Sequence, residues 1–208
     1  KLIQDLNNLE GGRTLVLSHP HTDVDGLGSI LGLGEILKSM GVEVTKGVPT
    51  GLDDLSKRII DHLDQEIDII VDPPTDFDFI FVVDTSSFEH LKEYEEKIRN
   101  SDAEKYFVDH HRVEGDTLKQ LDGYYIDEES TSTAELVLEL GDKLDFEFNP
   151  PLPTLLLTGI VADTAHFRFA NERTFKSVTS LLEKGADYRE VLDMLQTEED
   201  RSKRIAKL

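Results

Sequence analysis

The sequence predicts an α/β domain: a mainly parallel sheet of five or six strands with helices on both faces. Three observations carry this. Short, continuously apolar runs recur, such as Leu15-Val16-Leu17, Phe79-Ile80-Phe81-Val82-Val83 and Tyr106-Phe107-Val108, as expected of strands buried on both faces. Segments with helical apolar spacing alternate with them, the pattern of parallel crossover units. Clusters of His and Asp stand just after several apolar runs, where open α/β sheets gather ligands.

Taken in order, Leu2, Ile3, Leu6 and Leu9 form an apolar stripe closed by Gly11-Gly12, a short leading helix. A strand follows at 14–18, then a helix at about 28–39 from the spacing of Ile30, Leu33, Ile36 and Leu37. Val42–Thr45 reads as a second strand, Leu52–Leu63 as a helix, and Ile67–Val71 as a strand stopped by Pro73-Pro74. Asp78–Val83 is a buried strand, Leu91–Arg99 a charged helix, and Lys105–Val108 a strand. Residues 112–128 are irregular, with Tyr124–Ile126 as a short strand. Ser132 and Glu135 make a capping-box pattern, opening a helix to about Leu140. Pro150, Pro151 and Pro153 precede an apolar helix ending near Asp163, and helices at about 174–184, 187–196 and 198–207 finish the chain. No internal repeat is visible.

Composition narrows the function. The 208 residues suffice for one large domain or two small ones, and 38% are hydrophobic, enough for a real core. Asp and Glu number 43 against 22 Lys and Arg, a net charge of −21. That opposes binding to long nucleic acid, whose affinity comes mostly from cations on phosphates. It leaves room for a small phosphorylated substrate, because bound divalent ions reverse the local sign. There is no cysteine, which excludes disulfides and thiolate metal sites and accords with a reducing, cytoplasmic location. No apolar run approaches the roughly 18 residues of a membrane span. The sequence opens on Lys1, not Met, which suits a fragment or a trimmed chain.

The chemistry concentrates in four places. His19, His21, Asp23 and Asp25 crowd into seven residues after the first strand. Alternate residues of an extended loop point the same way, so Asp23 and Asp25 can face one side with His19 above them. A plainer reading makes the two aspartates caps of a turn and a helix start. A dinucleotide loop at Gly26-Leu27-Gly28 is a third reading. Two carboxylates beside those glycines would repel a pyrophosphate unless a metal lay between. The glycines would still let the backbone approach a ligand. The other places are Asp84 after its strand, Asp109-His110-His111, and Asp163-Thr164 after an apolar helix. Carboxylates and imidazoles without sulfur suit Mn²⁺, Mg²⁺ or Co²⁺ better than structural zinc.

These residues resemble the DHH phosphoesterase superfamily, which includes RecJ-type exonucleases, oligoribonuclease/pAp phosphatases, cyclic-dinucleotide phosphodiesterases and family II pyrophosphatases. The motif His-x-x-x-Asp-x-Asp-[Gly/Ala]-x-Gly-Ser matches His19 to Ser29. The lone Asp84, then Asp109-His110-His111, and Gly159 to Thr164 follow in the family's order, with Ser132–Glu135 resembling its intervening helix start.

The resemblance implies two divalent ions, Mn²⁺ foremost, in a DHH domain. His19, Asp23 and Asp84 would hold one; Asp25, Asp84, His110 and Asp163 the other, with Asp84 bridging. His111 would contact the substrate phosphate and Asp109 would orient His110. Further substrate contacts are expected from His21, Arg112, Arg168, Gly28 and Ser29. His21 stands where the family often has Asn, and Ala165 where it often has Gly.

The expected activity is hydrolysis of a nucleotide or short single-stranded oligonucleotide phosphoester by metal-activated water. The rivals are a pyrophosphatase or exopolyphosphatase, and a catalytically inactive scaffold or nucleic-acid-binding protein. Residues 1–190 would form the catalytic domain, and 191–208 a connector helix toward a DHHA1-type substrate domain outside this chain. A homodimer is a further expectation. His62 and His90 read as solvent-facing.

Overall fold

β1 (Arg13–Leu17) runs between two neighbours that it pairs in parallel, β2 (Glu43–Val48) and β4 (Phe79–Val83). The structure, a computed structural model, describes residues 2–6, 9, 11–63, 67–113 and 115–196. Its sheet has six strands in the order β3-β2-β1-β4-β5-β6, every pair parallel. Here β3 is Ile70–Val71, β5 Glu104–Asp109 and β6 Gly123–Ile126. The order reverses at β1, so the carboxyl ends of β1 and β4 flank the crevice where such sheets bind ligands.

Alternation along the strands explains the two faces. Val16, Phe81, Val83, Tyr106 and Val108 point into the larger core layer. It is completed by α2 (Val24–Ser39), α5 (Thr133–Lys143), α6 (Leu152–Asp163) and α8 (Tyr188–Leu195). Leu15, Leu17, Ile80, Val82 and Phe107 point the other way, onto Phe88, Leu91, Tyr94 and Ile98. Each such buried side chain contributes about 1.5–3 kcal/mol. The helices thus cover both faces, as the buried apolar strands require. α1 (Leu2–Leu6) packs Leu2 and Leu6 into the larger layer. α7 (Glu172–Glu183) opens with a capping box at Asn171.

Several boundaries differ from the periodicity. α2 begins at Val24 because Asp23 caps it, accepting from the Gly26 amide at 3.0 Å. β2 extends to Val48, held in register with β1 from Arg13↔Glu43 to Leu17↔Gly47. β3 shrinks to an exposed edge pair, Gly47↔Ile70 and Val48↔Val71. α3 is the shorter Asp54–His62.

The charged helix expected over Leu91–Arg99 is instead a 3-10 segment, Phe88–Tyr94, running into α4 (Glu95–Arg99). Phe88, Leu91 and Tyr94 are all buried; three residues per turn stacks Phe88 with Leu91, and the chain kinks at Lys92, φ 52° and ψ −115°, before Tyr94. The helix expected at 198–207 lies outside the described residues. No helix among the described residues is long and apolar enough to cross a membrane.

Candidate metal centre

Asp84 is where β4 leaves the sheet. Its φ is +57°, a left-handed conformation that Asp tolerates better than most residues. Its amide still bonds the Val108 carbonyl at 3.0 Å, so the turn is anchored to β5. The carboxylate is 4% exposed and accepts from the Thr133 hydroxyl at 3.0 Å. It lies beside the start of α2, whose positive end favours a negative charge. Gly26 makes that approach possible: a Cβ there would stand 2.7 Å from Ser18 Oγ and 3.3 Å from Asp84 Oδ2.

The β1 loop brings His19 and Asp23 to the same carboxylate. His19 Nδ1 donates to the Pro20 carbonyl at 3.0 Å. That fixes the tautomer and leaves Nε2 toward the cluster. Nε2 stands 3.6 Å from Asp84 Oδ2 and 3.9 Å from Asp23 Oδ1. His19, Asp23 and Asp84 each offer a donor atom within 4.8 Å of the others'.

Asp25 lies deeper, fully buried in the first turn of α2. Its Oδ2 accepts from the Thr133 amide at 2.7 Å and its Oδ1 from the Ala134 amide at 3.0 Å. The free N–H groups of α5 thereby satisfy a carboxylate from α2, the favourable pairing at a helix N-terminus. Asp163 arrives from the end of α6 and His110 from the end of β5. Asp25, Asp84, His110 and Asp163 form a second group with donor atoms within 4.8 Å of one another, Asp84, Asp109, His110 and His111 a third that overlaps it, and Asp84 belongs to all three.

Electrostatics argue that this cluster accommodates cations. Burial, then the charges of Asp84, Asp163 and Asp23, push the Asp25 carboxyl well above its ordinary range. Burial and the Asp84 charge raise Asp23 to about 6. Burial would raise Asp84 too, but His19, with His110 and His111, holds it below the usual value. His110 Nε2 is buried and makes no hydrogen bond, although Asp163 Oδ2 is 3.3 Å and Asp84 Oδ1 3.8 Å away. A buried nitrogen unbonded among carboxylates, with an all-N/O donor set, fits divalent metal ligation.

Asp109 was expected to orient His110. It bonds His111 instead: His111 Nδ1 donates to Asp109 Oδ1 at 2.8 Å. The reason is strand geometry. Asp109 closes β5 fully buried, and the chain turns so that the next ring reaches the cluster and the one after folds back. The Asp109 bond, outweighing burial, raises His111 to about 9, so the ring is cationic at neutral pH.

The expected substrate contacts divide. His111 lines a cleft of about 410 Å³ with His19, Asp23, Asp84 and Asp163. Gly28 and Ser29 are buried within α2 and cannot meet a substrate: a Cβ on Gly28 would stand 3.2 Å from the Leu155 carbonyl of α6. Gly28 is there for helix contact. His21 is exposed on the loop, its amide bonded to Thr50 Oγ1 at 3.2 Å, and does not line the cleft. Arg112 and Arg168 are exposed and also stand outside its wall, Arg168 lying over the Phe169 ring.

Sequence reasoning missed Thr133, read only as part of a helix start, and a rim of Ser86, Glu89, His90 and Lys92. His90 is exposed, as expected, and also lines that rim. The surrounding charge hid these residues, since no spacing rule separates a cleft-facing lysine from a solvated one.

A doubly wound parallel sheet with clustered carboxylates and imidazoles at its switch point defines an α/β protein with a candidate metal site. The sequence pattern of the DHH family, N-terminal domain, matches residues 13–160, and the chain belongs to that family. It is 29% identical over 204 residues to an uncharacterised protein of Methanocaldococcus jannaschii, covering 98% of this chain and 60% of that one. It is 29% identical over 196 residues to the cyclic-di-AMP phosphodiesterase PdeA of Listeria monocytogenes, covering 86% of this chain and 29% of the relative. The fold superposes on an exopolyphosphatase-related protein of Bacteroides fragilis with a TM-score of 0.81 at 22% identity, over 99% of this chain and 63% of that one. The chain thus spans less than two thirds of the length of each.

Proposed function

We propose that the chain is the metal-binding catalytic part of a phosphoesterase that hydrolyses a nucleotide or short oligonucleotide. The observation that carries this reading is the sharing of Asp84 between two donor groups, one with His19 and Asp23, the other with Asp25, His110 and Asp163. Such a pair of sites, free of sulfur, suits two divalent ions such as Mn²⁺, Mg²⁺ or Co²⁺, and the likeness to a probable manganese-dependent pyrophosphatase favours manganese. When bound, the ions supply acidification of water near neutral pH and neutralisation of charge on the phosphoryl oxygens.

The chain's own residues do the rest. The α5 amides and the Thr133 hydroxyl hold Asp25 and Asp84 in place without side-chain rearrangement, the preorganisation that favours a charged transition state. His111, cationic through its bond to Asp109, faces the same cleft and is suited to grip a phosphate oxygen. The likeness to a cyclic-di-AMP phosphodiesterase supports phosphodiester substrates of small size, and the net charge of −21 weighs against long nucleic acid. The greater length of the relatives supports further recognition from a domain beyond residue 190.

The test is hydrolysis in Mn²⁺ of pAp, a short oligoribonucleotide, cyclic di-AMP and pyrophosphate, by wild type and Asp84→Ala. Mn²⁺-dependent release that is lost in the variant supports the reading. Activity retained by Asp84→Ala, or failure of the wild type to bind Mn²⁺, would sink it. Preference for pyrophosphate alone would move the protein to the pyrophosphatase class.

A further inference from the structure

A second cavity, of about 660 Å³, lies away from the metal centre and shares no lining residue with its cleft. Its size falls within the roughly 300–1,000 Å³ of small-molecule sites. It opens at the far ends of two helices that feed the metal centre. Asp23 caps the start of α2 and Asp163 closes α6, whereas Leu31, Glu35 and Lys38 of α2 and Leu152 and Leu155 of α6 line the cavity. Leu31, Leu152 and Leu155 are buried and form an apolar floor, with Phe146 and Pro151 half-buried beside them.

Lys46 brings a charge to this apolar lining. Strand alternation puts residue 46 on the core side of β2, between Val44 and Val48, which both pack into the larger layer. An apolar side chain is expected at such a position. The lysine is nonetheless 8% exposed, and its stem lies against α2 at Gly34, where a Cβ would stand 2.9 Å from Lys46 Cδ and 3.1 Å from Cγ. Its ammonium donates to Glu35 Oε1 at 3.0 Å, and the Lys38 ammonium donates to the same oxygen at 3.0 Å. Stability does not account for the arrangement, since a buried ion pair is often no better than the apolar side chains that could replace it. Glu35 takes one of the three N–H groups on Lys46, and no other hydrogen bond to that ammonium is found among the described residues. Two ammoniums on one carboxylate leave positive charge in excess on the cavity wall.

We propose that this cavity binds a small apolar monocarboxylate, with its carboxylate on Lys46 and Lys38 and its body on the leucine floor. The first turn of α6 lines the same space through Leu152 and Leu155, and the positive end of a helix favours an anion. Asp68 and Glu147 stand exposed on the lining. They repel a second negative charge, so the ligand carries a single anionic group. That sets it apart from the phosphorylated substrate proposed for the metal centre, and the site stands whether or not the chain hydrolyses phosphoesters.

The probe is octanoate, compared with octan-1-ol, which lacks the charge, and octanedioate, which carries two. Binding to the full chain is measured by calorimetry and by the shifts of leucine methyl NMR signals, for wild type, Lys46→Met and Lys38→Met. Methionine keeps the apolar stem of Lys46 and leaves Glu35 its bond to Lys38, so the fold should survive the change. Lys38→Met alters an exposed side chain and leaves the core intact. The wild type should bind octanoate saturably, one per chain, about tenfold or more tighter than either comparison compound, the scale of a charge-assisted contact. The methyl shifts should centre on Leu31, Leu152 and Leu155. Lys46→Met should lose about tenfold in octanoate affinity, and Lys38→Met should weaken it in the same direction. No saturable binding by the wild type, octan-1-ol bound as tightly as octanoate, shifts centred elsewhere, or affinity unchanged in both lysine variants would each overturn the site.

Discussion

Gly159 of α6 gives the Asp25 carboxylate its room: a Cβ on Gly159 would stand 2.8 Å from Asp25 Oδ1 and 3.0 Å from Asp25 Cα. Backbone and a buried carboxylate cannot both yield by that amount. Gly159→Ala should therefore displace Asp25 from the α5 amides that hold it. The expected cost is about 1–3 kcal/mol of stability, the usual range for overpacking a core. Mn²⁺ affinity should fall at least tenfold, because the displaced carboxylate belongs to one donor group. Calorimetric titration with Mn²⁺ and thermal melting would check it, and an unchanged affinity would remove Asp25 from the ligand set.

The same crowding of carboxylates predicts how ions and protons compete. Asp23 is raised to about 6 and Asp25 well above its ordinary value. In the ion-free folded chain these groups retain protons that the unfolded chain releases near pH 4. Their contribution to stability is thus present at low pH and lost as the pH rises through about 6. A divalent ion must displace those protons. Mn²⁺ should raise the melting temperature by on the order of 5 °C at pH 8 and far less at pH 5. Equal shifts at both pH values would argue against ligation by these two aspartates.

Asp109 and His111 make a separate prediction. The Asp109 bond outweighs burial and keeps His111 protonated up to about pH 9. That folded pKa is raised, so the imidazolium is present below it and lost above. Asp109→Asn removes the negative partner and returns the titration toward its ordinary position near 6.5. KM for a phosphorylated substrate should then rise about tenfold at pH 8 and little at pH 6. A KM ratio between variant and wild type that stays flat across this range would mean His111 does not meet the substrate as a cation.

Ala165, His166 and Phe167 all have positive φ, at 48°, 59° and 67°. Three consecutive left-handed residues follow Thr164, one residue beyond Asp163, tied down by the His166 amide on the Val161 carbonyl at 2.8 Å. Ala165 is exposed, so glycine there meets no packing penalty. Ala165→Gly should stabilise the fold by about 1 kcal/mol, relieving part of the left-handed cost of a residue with a Cβ. A lower melting temperature would mean that added freedom in the unfolded chain outweighs the relief.

Much of this was legible in the sequence. The buried strands β1, β4 and β5 announced themselves as continuous apolar runs, because a strand covered on both faces has no polar side to alternate. The residues of the two donor groups were visible for a related reason. His19, Asp23, Asp84 and His110 stand where apolar strands stop, and a parallel sheet brings its strand ends to one edge whatever the intervening loops do; Asp163 closes the apolar helix α6. The shape of the segment after β4 was not legible. Its period of three at Phe88, Leu91 and Tyr94 reads equally as part of an α-helix until the sheet face is there to receive it.

What the sequence by itself determined is the sheet, its parallel sense and the set of acids and imidazoles at its carboxyl edge. Side-chain polarity and the period of two or 3.6 settle these locally. Only the tertiary structure decided which partner each group takes. It gave the α5 amides to Asp25, Asp109 to His111 and not His110, and Thr133 to Asp84. It also turned Gly28 inward for helix contact and set Lys92 on the cleft wall. Those pairings join residues far apart in the chain, through distances of a few ångströms that no spacing encodes.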